Sequence, residues 1–362
     1  MLSSPAAPTR GEIAWPRCAA GGSSTSTTTR PWSSSRWSRA CRLPRGPARP
    51  PNRRGALRCA AALASPAMAT TAGRLCLLTV HAHPDDEASK GAPTVARYHA
   101  EGVRTVLVCC TGGEEGEILN PALDKPSMAE KLAEIRAEEL ARAAAVIGYD
   151  EVVMLGYRDS GMEGSEANTH PDCFANADLD EAVSRLVSVI RRHRPQVIVT
   201  YPEDQGGYMH PDHVRVHDIS IPAFERAGDA HYRPDLGEPW SPAKLYYTLW
   251  SRKRIEERHQ AFQDLGLKSP YNDWWFKRPS TDDQITTQVP VDGFIDARIE
   301  GLLAHATQID PESTFWFGLP PEVERSIHPY DDYVLARGPR PAELPERDLF
   351  EGLRAEAAGE SG

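Results

Sequence analysis

The sequence predicts an α/β fold, a mostly parallel sheet with helices on both faces. Two observations carry this. From Met68 onward, short apolar runs alternate with stretches of helical periodicity, the pattern of strands joined by helical crossovers. Each conspicuous polar cluster also follows an apolar run, at 80, 110, 155 and 201. Function collects at the carboxyl ends of strands in doubly wound sheets.

Taken in order, the first strand is expected over 75–80 and a helix over 89–100, ended by Glu101-Gly102. A second strand, 105–110, runs into the acidic loop Thr111-Gly112-Gly113-Glu114-Glu115-Gly116-Glu117, which is too negative for a phosphate cradle. A long amphipathic helix follows over 127–147, with Ser127 and Glu130 in capping-box spacing and Gly148 as its stop. The third strand is 152–155, followed by the loop Gly156-Tyr157-Arg158-Asp159-Ser160-Gly161. A helix over 179–193 leads past Pro195 to a strand at 196–201 and a helix over 212–227. One more strand (245–250) and helices over 253–265 and 293–306 complete the readable part. Residues 338–362 read as a polar, poorly ordered tail, and there is no internal repeat.

The first 67 residues contain 11 of the 41 basic residues and a single acid, Glu12. They are Arg- and Ser-rich without an apolar core, so they read either as a transit peptide or, the favoured reading, as sequence upstream of a true start at Met68. The domain expected to fold is 68–337. Residues 68–362 hold 30 basic against 50 acidic residues. That excess of negative charge disfavours nucleic acid and anionic membranes as partners. No apolar run approaches the roughly 18 residues of a membrane span. None of the seven cysteines forms a C-x-x-C pair, so a reducing, cytoplasmic location is expected.

Two clusters carry the chemistry. Ala82-His83-Pro84-Asp85-Asp86-Glu87 places one imidazole and three carboxylates in five positions, and such carboxylates repel unless a cation or solvent accommodates them. The second cluster is Tyr208-Met209-His210-Pro211-Asp212-His213. Two imidazoles and a carboxylate form a common catalytic zinc shell with a position left open for water. His83, Asp86 and His213 are the expected ligands. Asp85 stands where a general base belongs. His210 is placed to act either as general acid or as oxyanion donor, and Asp212 to orient a histidine. His81 reads as a buried or supporting histidine.

Either cluster alone would be an ordinary turn or helix cap; both at matching strand ends make the metal reading. Rival readings of the same residues are a non-haem iron oxygenase, disfavoured by the β/α alternation, and a non-catalytic sugar-binding module, which would not need Asp85.

These motifs resemble the LmbE/PIG-L family of zinc-dependent de-N-acetylases and amidases, over roughly residues 74–337. The resemblance implies a Rossmann-like sheet with a C-terminal extension, and Zn2+ as cofactor, with Fe2+ suiting the same shell. It implies that His83, Asp86 and His213 bind the metal, that Asp85 is the base, and that His210 and Tyr208 assist at the tetrahedral intermediate. Further stretches, His81 to Gly91, Thr111 to Glu114, Arg158 to Met162 and Ala304 to Pro311, resemble the branch acting on mycothiol S-conjugates, small thiol-conjugate molecules. The branch deacetylating N-acetylglucosaminyl-inositol has a small polar residue at the position of Lys90. Lys90 is therefore expected at the cysteinyl part of a conjugate, or else paired on the helix surface with Glu87 or Glu101. Arg136 and Asp159 match, more loosely, residues that hold the sugar. Trp274, Trp275, Trp316 and Phe317 either wall a site for the S-substituent or pack a C-terminal subdomain.

Overall fold

The computed structural model describes residues 74–205 and 209–354. The leader over 1–67 lies outside the described residues, as do 68–73, Gly206, Gly207, Tyr208 and 355–362.

The elements run β1 (Cys76–His81), α1 (Asp86–Ser89), α2 (Ala92–Ala100), β2 (Arg104–Thr111), α3 (Pro126–Ala129), α4 (Leu132–Ile147) and β3 (Glu151–Tyr157). Then come α5 (Leu179–His193), β4 (Val197–Thr200), α6 (Pro211–Arg226), β5 (Lys244–Leu249), α7 (Arg252–Asp264) and α8 (Asp273–Lys277). The chain closes with β6 (Thr287–Pro290), α9 (Ile295–Ala304), α10 (Thr314–Phe317), α11 (Pro321–Glu324) and β7 (Tyr330–Arg337).

Seven strands form one sheet in the order β3-β2-β1-β4-β5-β7-β6. Strands β1 to β5 are parallel, while β7 is antiparallel to both β5 and β6. From β1 the chain builds outward to β2 and β3, then returns to lay β4 on the other side of β1. The strand order therefore reverses between β1 and β4, and a crevice opens beyond their carboxyl ends. The two motif loops leave those two strands. This is why residues more than a hundred positions apart meet.

Helices cover both faces, so the strands read as continuous apolar runs. Leu78, Val80, Val106 and Val108 point into one core with Val183, Leu186, Val216 and Ile219 of α5 and α6. Leu77, Leu107 and Cys109 point into the other with residues of α2, α4 and α9. Cys76, Cys109, Cys110 and Cys173 are all free and buried. Among the described residues no helix is long and apolar enough to cross a membrane.

Several expectations change. The helix over 89–100 is two pieces hinged at Gly91, whose φ is 96°. The helix over 127–147 is broken between α3 and α4, and Ser127 caps nothing: Pro126 starts the turn one residue earlier, and Lys131 leaves helical geometry. Gly148 does end α4, at φ 96°, where a Cβ would meet the His99 ring at 2.9 Å. The helix over 179–193 forms at the expected bounds, with the Asp178 carboxylate accepting the Glu181 N–H.

The antiparallel pair β6–β7 was not anticipated because Asp331 and Asp332 interrupt the apolar alternation of β7. Both are buried and answered: Asp331 by Thr94 Oγ1 (2.9 Å) and Arg298 (2.5 Å), Asp332 by Ser251 Oγ (2.6 Å) and Gln288 (2.9 Å).

The expected tail is corrected as far as residue 354. Leu349 and Phe350 are fully buried in the second core, and Glu346 accepts from Lys244 Nζ (2.6 Å), Tyr246 Oη (2.8 Å) and Thr287 Oγ1 (2.9 Å). Four scattered large apolar residues, Leu344, Leu349, Phe350 and Leu353, are too weak a pattern in a polar stretch to signal this. The rest of that tail, 355–362, lies outside the described residues.

Candidate active site

The turn after β1 and the start of α6 bring His83, Asp86 and His213 together, all three buried. Asp86 Oδ2 lies 3.5 Å from His83 Nδ1 and 3.2 Å from His213 Nε2. Ligands about 2.0–2.1 Å from a tetrahedral ion stand roughly 3.3 Å apart, so this spacing fits one small divalent cation. The donor chemistry fits as well. His83 Nε2 lies 3.1 Å from Asp212 Oδ2, which places the ring proton there and leaves the Nδ1 lone pair facing Asp86. Burial pulls the His213 imidazole below its usual pKa despite Asp86 nearby, which keeps it a neutral donor. Burial also opposes charge on His83, but Asp159, Asp212 and Asp86 together raise its proton affinity well above the ordinary value. A ring that attracts a proton so strongly marks a negative pocket that a cation would neutralise.

Asp212 is itself fixed, accepting Ser160 N–H at 3.0 Å and the Ser160 hydroxyl. His83, Asp159, His210 and Asp212 also come close enough to bracket an ion. With the Asp212 oxygens engaged by Ser160 and His83, we read that group as the surround of the first. The sequence alone assigns Ser160 no role. Its signal was its place in a strand-end loop beside Asp159.

Asp85 sits beside the ligand group in an unusual conformation, φ 117°, ψ −24°. Its Oδ2 pairs with Arg136 Nη2 at 3.1 Å, and Arg136 also donates to Pro84 O and Gly113 O, both at 2.5 Å. Gly113 has φ 67°, and a Cβ there would run into that guanidinium. Desolvation raises the Asp85 pKa, with the Arg136 charge opposing it. Arg136 was expected against substrate. It is buried beside the base, with both Nη atoms bound to protein oxygens and its buried Nε without a partner among the described residues.

His210 caps α6, its Nδ1 accepting the Asp212 N–H at 3.2 Å. That bond assigns the ring proton to Nε2. Burial, with His83 and His213 adding to it, lowers the His210 pKa to about 3. The neutral ring is suited to donating a hydrogen bond rather than a proton. Tyr208 lies outside the described residues.

Asp159 is buried, its Oδ1 accepting Gly161 N–H (2.8 Å) and lying 3.6 Å from His83 Nε2. Lys90 follows α1 rather than lying on it. Its ammonium pairs with Asp86 Oδ1, 5.5 Å over the Tyr201 ring, and not with Glu87 or Glu101. His81 is wholly buried against Tyr201 Oη at 2.9 Å, its pKa lowered to about 4 by burial. Trp275 and Phe315 join a C-terminal cluster with Ile255, Phe262 and Tyr271, and Trp316 and Phe317 pack on the second core. Trp274 is instead exposed, edge-on to Trp275 and beneath the Arg278 guanidinium.

An open sheet whose switch point gathers two imidazoles and a carboxylate, with a further carboxylate alongside, defines the class as a hydrolase with a metal-ready site. Comparison with known proteins agrees. Residues 78–224 match the family model described as PIG-L, GlcNAc-PI de-N-acetylase. The chain is 45% identical over 293 residues to the mycothiol S-conjugate amidase of Streptomyces coelicolor, covering 78% of this chain and 99% of that protein. It is 42% identical to a 1D-myo-inositol 2-acetamido-2-deoxy-alpha-D-glucopyranoside deacetylase of Streptomyces avermitilis, covering 76% and 97%. The N,N'-diacetylchitobiose deacetylase of Pyrococcus horikoshii shares the fold at 15% identity, with a TM-score of 0.50 over 72% of this chain and 83% of that one. The chain belongs to the LmbE/PIG-L family, whose members hydrolyse amide bonds.

Proposed function

We propose that this protein is an amidase that hydrolyses mycothiol S-conjugates to an N-acetylcysteine S-conjugate and glucosaminyl-inositol. The observation that carries the chemistry is the convergence of His83, Asp86 and His213 at coordinating separations. A divalent ion held there, Zn2+ or Fe2+, supplies the Lewis acid that activates water and polarises the carbonyl. Asp85 accepts a proton from the attacking water as its oxygen adds to the acyl carbon. His210 donates its Nε2–H to the oxygen that gains charge, a task for which Tyr208 is the second candidate. The C–N bond then breaks, and the departing amine takes the proton that Asp85 holds. Asp212 keeps His83 in its coordinating orientation.

The substrate choice is supported by the 45% identity to a mycothiol S-conjugate amidase and by Lys90 at the rim of the ligand group. Lys90 would meet the polar cysteinyl part of a conjugate, with Asp159 on the sugar side. We place the enzyme in the cytoplasm, in keeping with its buried free thiols, acting on a small molecule rather than nucleic acid or membrane. The functional domain is proposed as 68–337, stapled by the segment around Glu346.

A second reading, deacetylation of N-acetylglucosaminyl-inositol, is favoured by relatives of that name at 42% identity. The two amides differ in the acyl group removed. Parallel hydrolysis assays on a mycothiol bimane conjugate and on N-acetylglucosaminyl-inositol, with metal analysis of the same sample, separate them. A clear preference for the bimane conjugate supports the proposal; preference for the acetyl sugar overturns it.

A further inference from the structure

We propose that the buried Glu87–His305 pair is a positioning device that holds Asp85, through its backbone, in the conformation its role as base requires. The inference rests on the proposed role of Asp85.

Among the described residues four non-glycine residues have positive φ. Three lie at 43–50°, the ordinary left-handed region, whereas Asp85 lies at 117°. A residue stays in such a conformation only where its surroundings over-determine it. Here the surroundings are specific. The Asp85 N–H donates to Glu87 Oε2 at 2.9 Å, and the other oxygen of Glu87 lies 2.5 Å from His305 Nε2. Both Glu87 and His305 have 0% exposure. A wholly buried ion pair is weak as a source of stability. Neither residue belongs to the ligand group, and the chemistry above uses neither.

His305 is the C-cap of α9, beyond the matched 78–224 segment. The residues after it are tied down on two sides. Thr307 donates from N–H and Oγ1 to the two oxygens of Glu139 on α4, at 2.8 and 2.7 Å. Thr307 O accepts Leu119 N–H at 2.8 Å, and Ala306 O accepts from Asn120 at 2.9 Å. A rigid C-terminal anchor thus reaches the backbone of the base, while Arg136 holds its carboxylate. Without the anchor, Asp85 would relax toward negative φ and carry its carboxylate away from the ligand group.

The test is a double-mutant cycle on the metal-loaded full chain, using whichever of the two amides the enzyme turns over. His305→Leu is expected to lower kcat about 10- to 100-fold, the scale of a small misplacement of a catalytic group, with KM and metal content unchanged. His305→Gln, which keeps a donor, should recover most of the loss. In an Asp85→Asn background His305→Leu should change kcat less than about twofold, because its effect runs through Asp85. Equal proportional losses in both backgrounds, or a loss accompanied by lost metal, would overturn the proposal. If His305→Leu does not fold, Glu87→Gln replaces it in the cycle with the same two outcomes. Unchanged kcat in Asp85→Asn alone would instead refute the base assignment.

Discussion

The Nε2 of His83 lies 3.1 Å from Oδ2 of Asp212, a carboxylate with no exposed surface. That contact ties the loop after β1 to the first turn of α6 and points the other ring nitrogen at Asp86. Removing an orienting carboxylate of this kind weakens metal affinity or activity about 10- to 100-fold. Asp212→Ala is therefore expected to lose metal to a competing chelator at correspondingly lower chelator concentration. Unchanged retention would mean that the contact is incidental.

Arg136 contacts the Asp85 carboxylate at 3.1 Å. Arg136→Met should lower kcat by about 10-fold or more, since it frees both Pro84 O and the Asp85 carboxylate. The effect on KM should be small. A large KM increase with kcat intact would return Arg136 to the substrate.

At the opposite end of the sheet, burial lowers the His193 pKa to about 4, with the Glu151 charge opposing and Arg104 reinforcing it. The geometry agrees: Nδ1 accepts from the Arg104 guanidinium at 2.8 Å, which a protonated ring could not do. The unfolded chain binds this proton below about pH 6.5, and the folded chain only below about pH 4. Stability from the neutral ring is present above pH 6.5 and is lost as the pH falls toward 4. The loss is at most roughly 3 kcal/mol. A plot of Tm against pH should rise from about pH 4 to about pH 6.5, and His193→Gln should flatten that rise. An identical slope in the variant would remove His193 as the cause.

Lys244 and Glu346 form a wholly buried pair, and Glu346 also receives Tyr246 and Thr287. Glu346→Ala strands a buried ammonium and should destabilise by roughly 3–5 kcal/mol in denaturant unfolding. Lys244→Met with Glu346→Leu should restore much of that. A loss under about 1 kcal/mol for the single variant would show that the C-terminal segment contributes little.

The parallel half of the sheet was legible because strands covered on both faces must be apolar and the crossover helices must be amphipathic. The site was legible because His83, Asp85, Asp86, His210, Asp212 and His213 are densities of charge that no packing role explains. The C-terminal half resisted for the converse reason. Asp331 and Asp332 in β7 are buried polar groups whose partners arrive from elsewhere in the chain, so they disguise a strand as a loop. The burial of Arg136 was hidden in the same way. An arginine in a Glu-rich helix looks like solvated surface, and only the fold reveals that it is buried against Asp85.

His83, Asp86 and His213 are expected to hold one ion at the junction of β1 and β4. An anomalous difference map from crystals of the zinc-loaded protein tests this directly. One peak is expected, about 2.0–2.2 Å from His83 Nδ1, Asp86 Oδ2 and His213 Nε2. A peak held instead by Asp159 and His210, with His213 uninvolved, would contradict it.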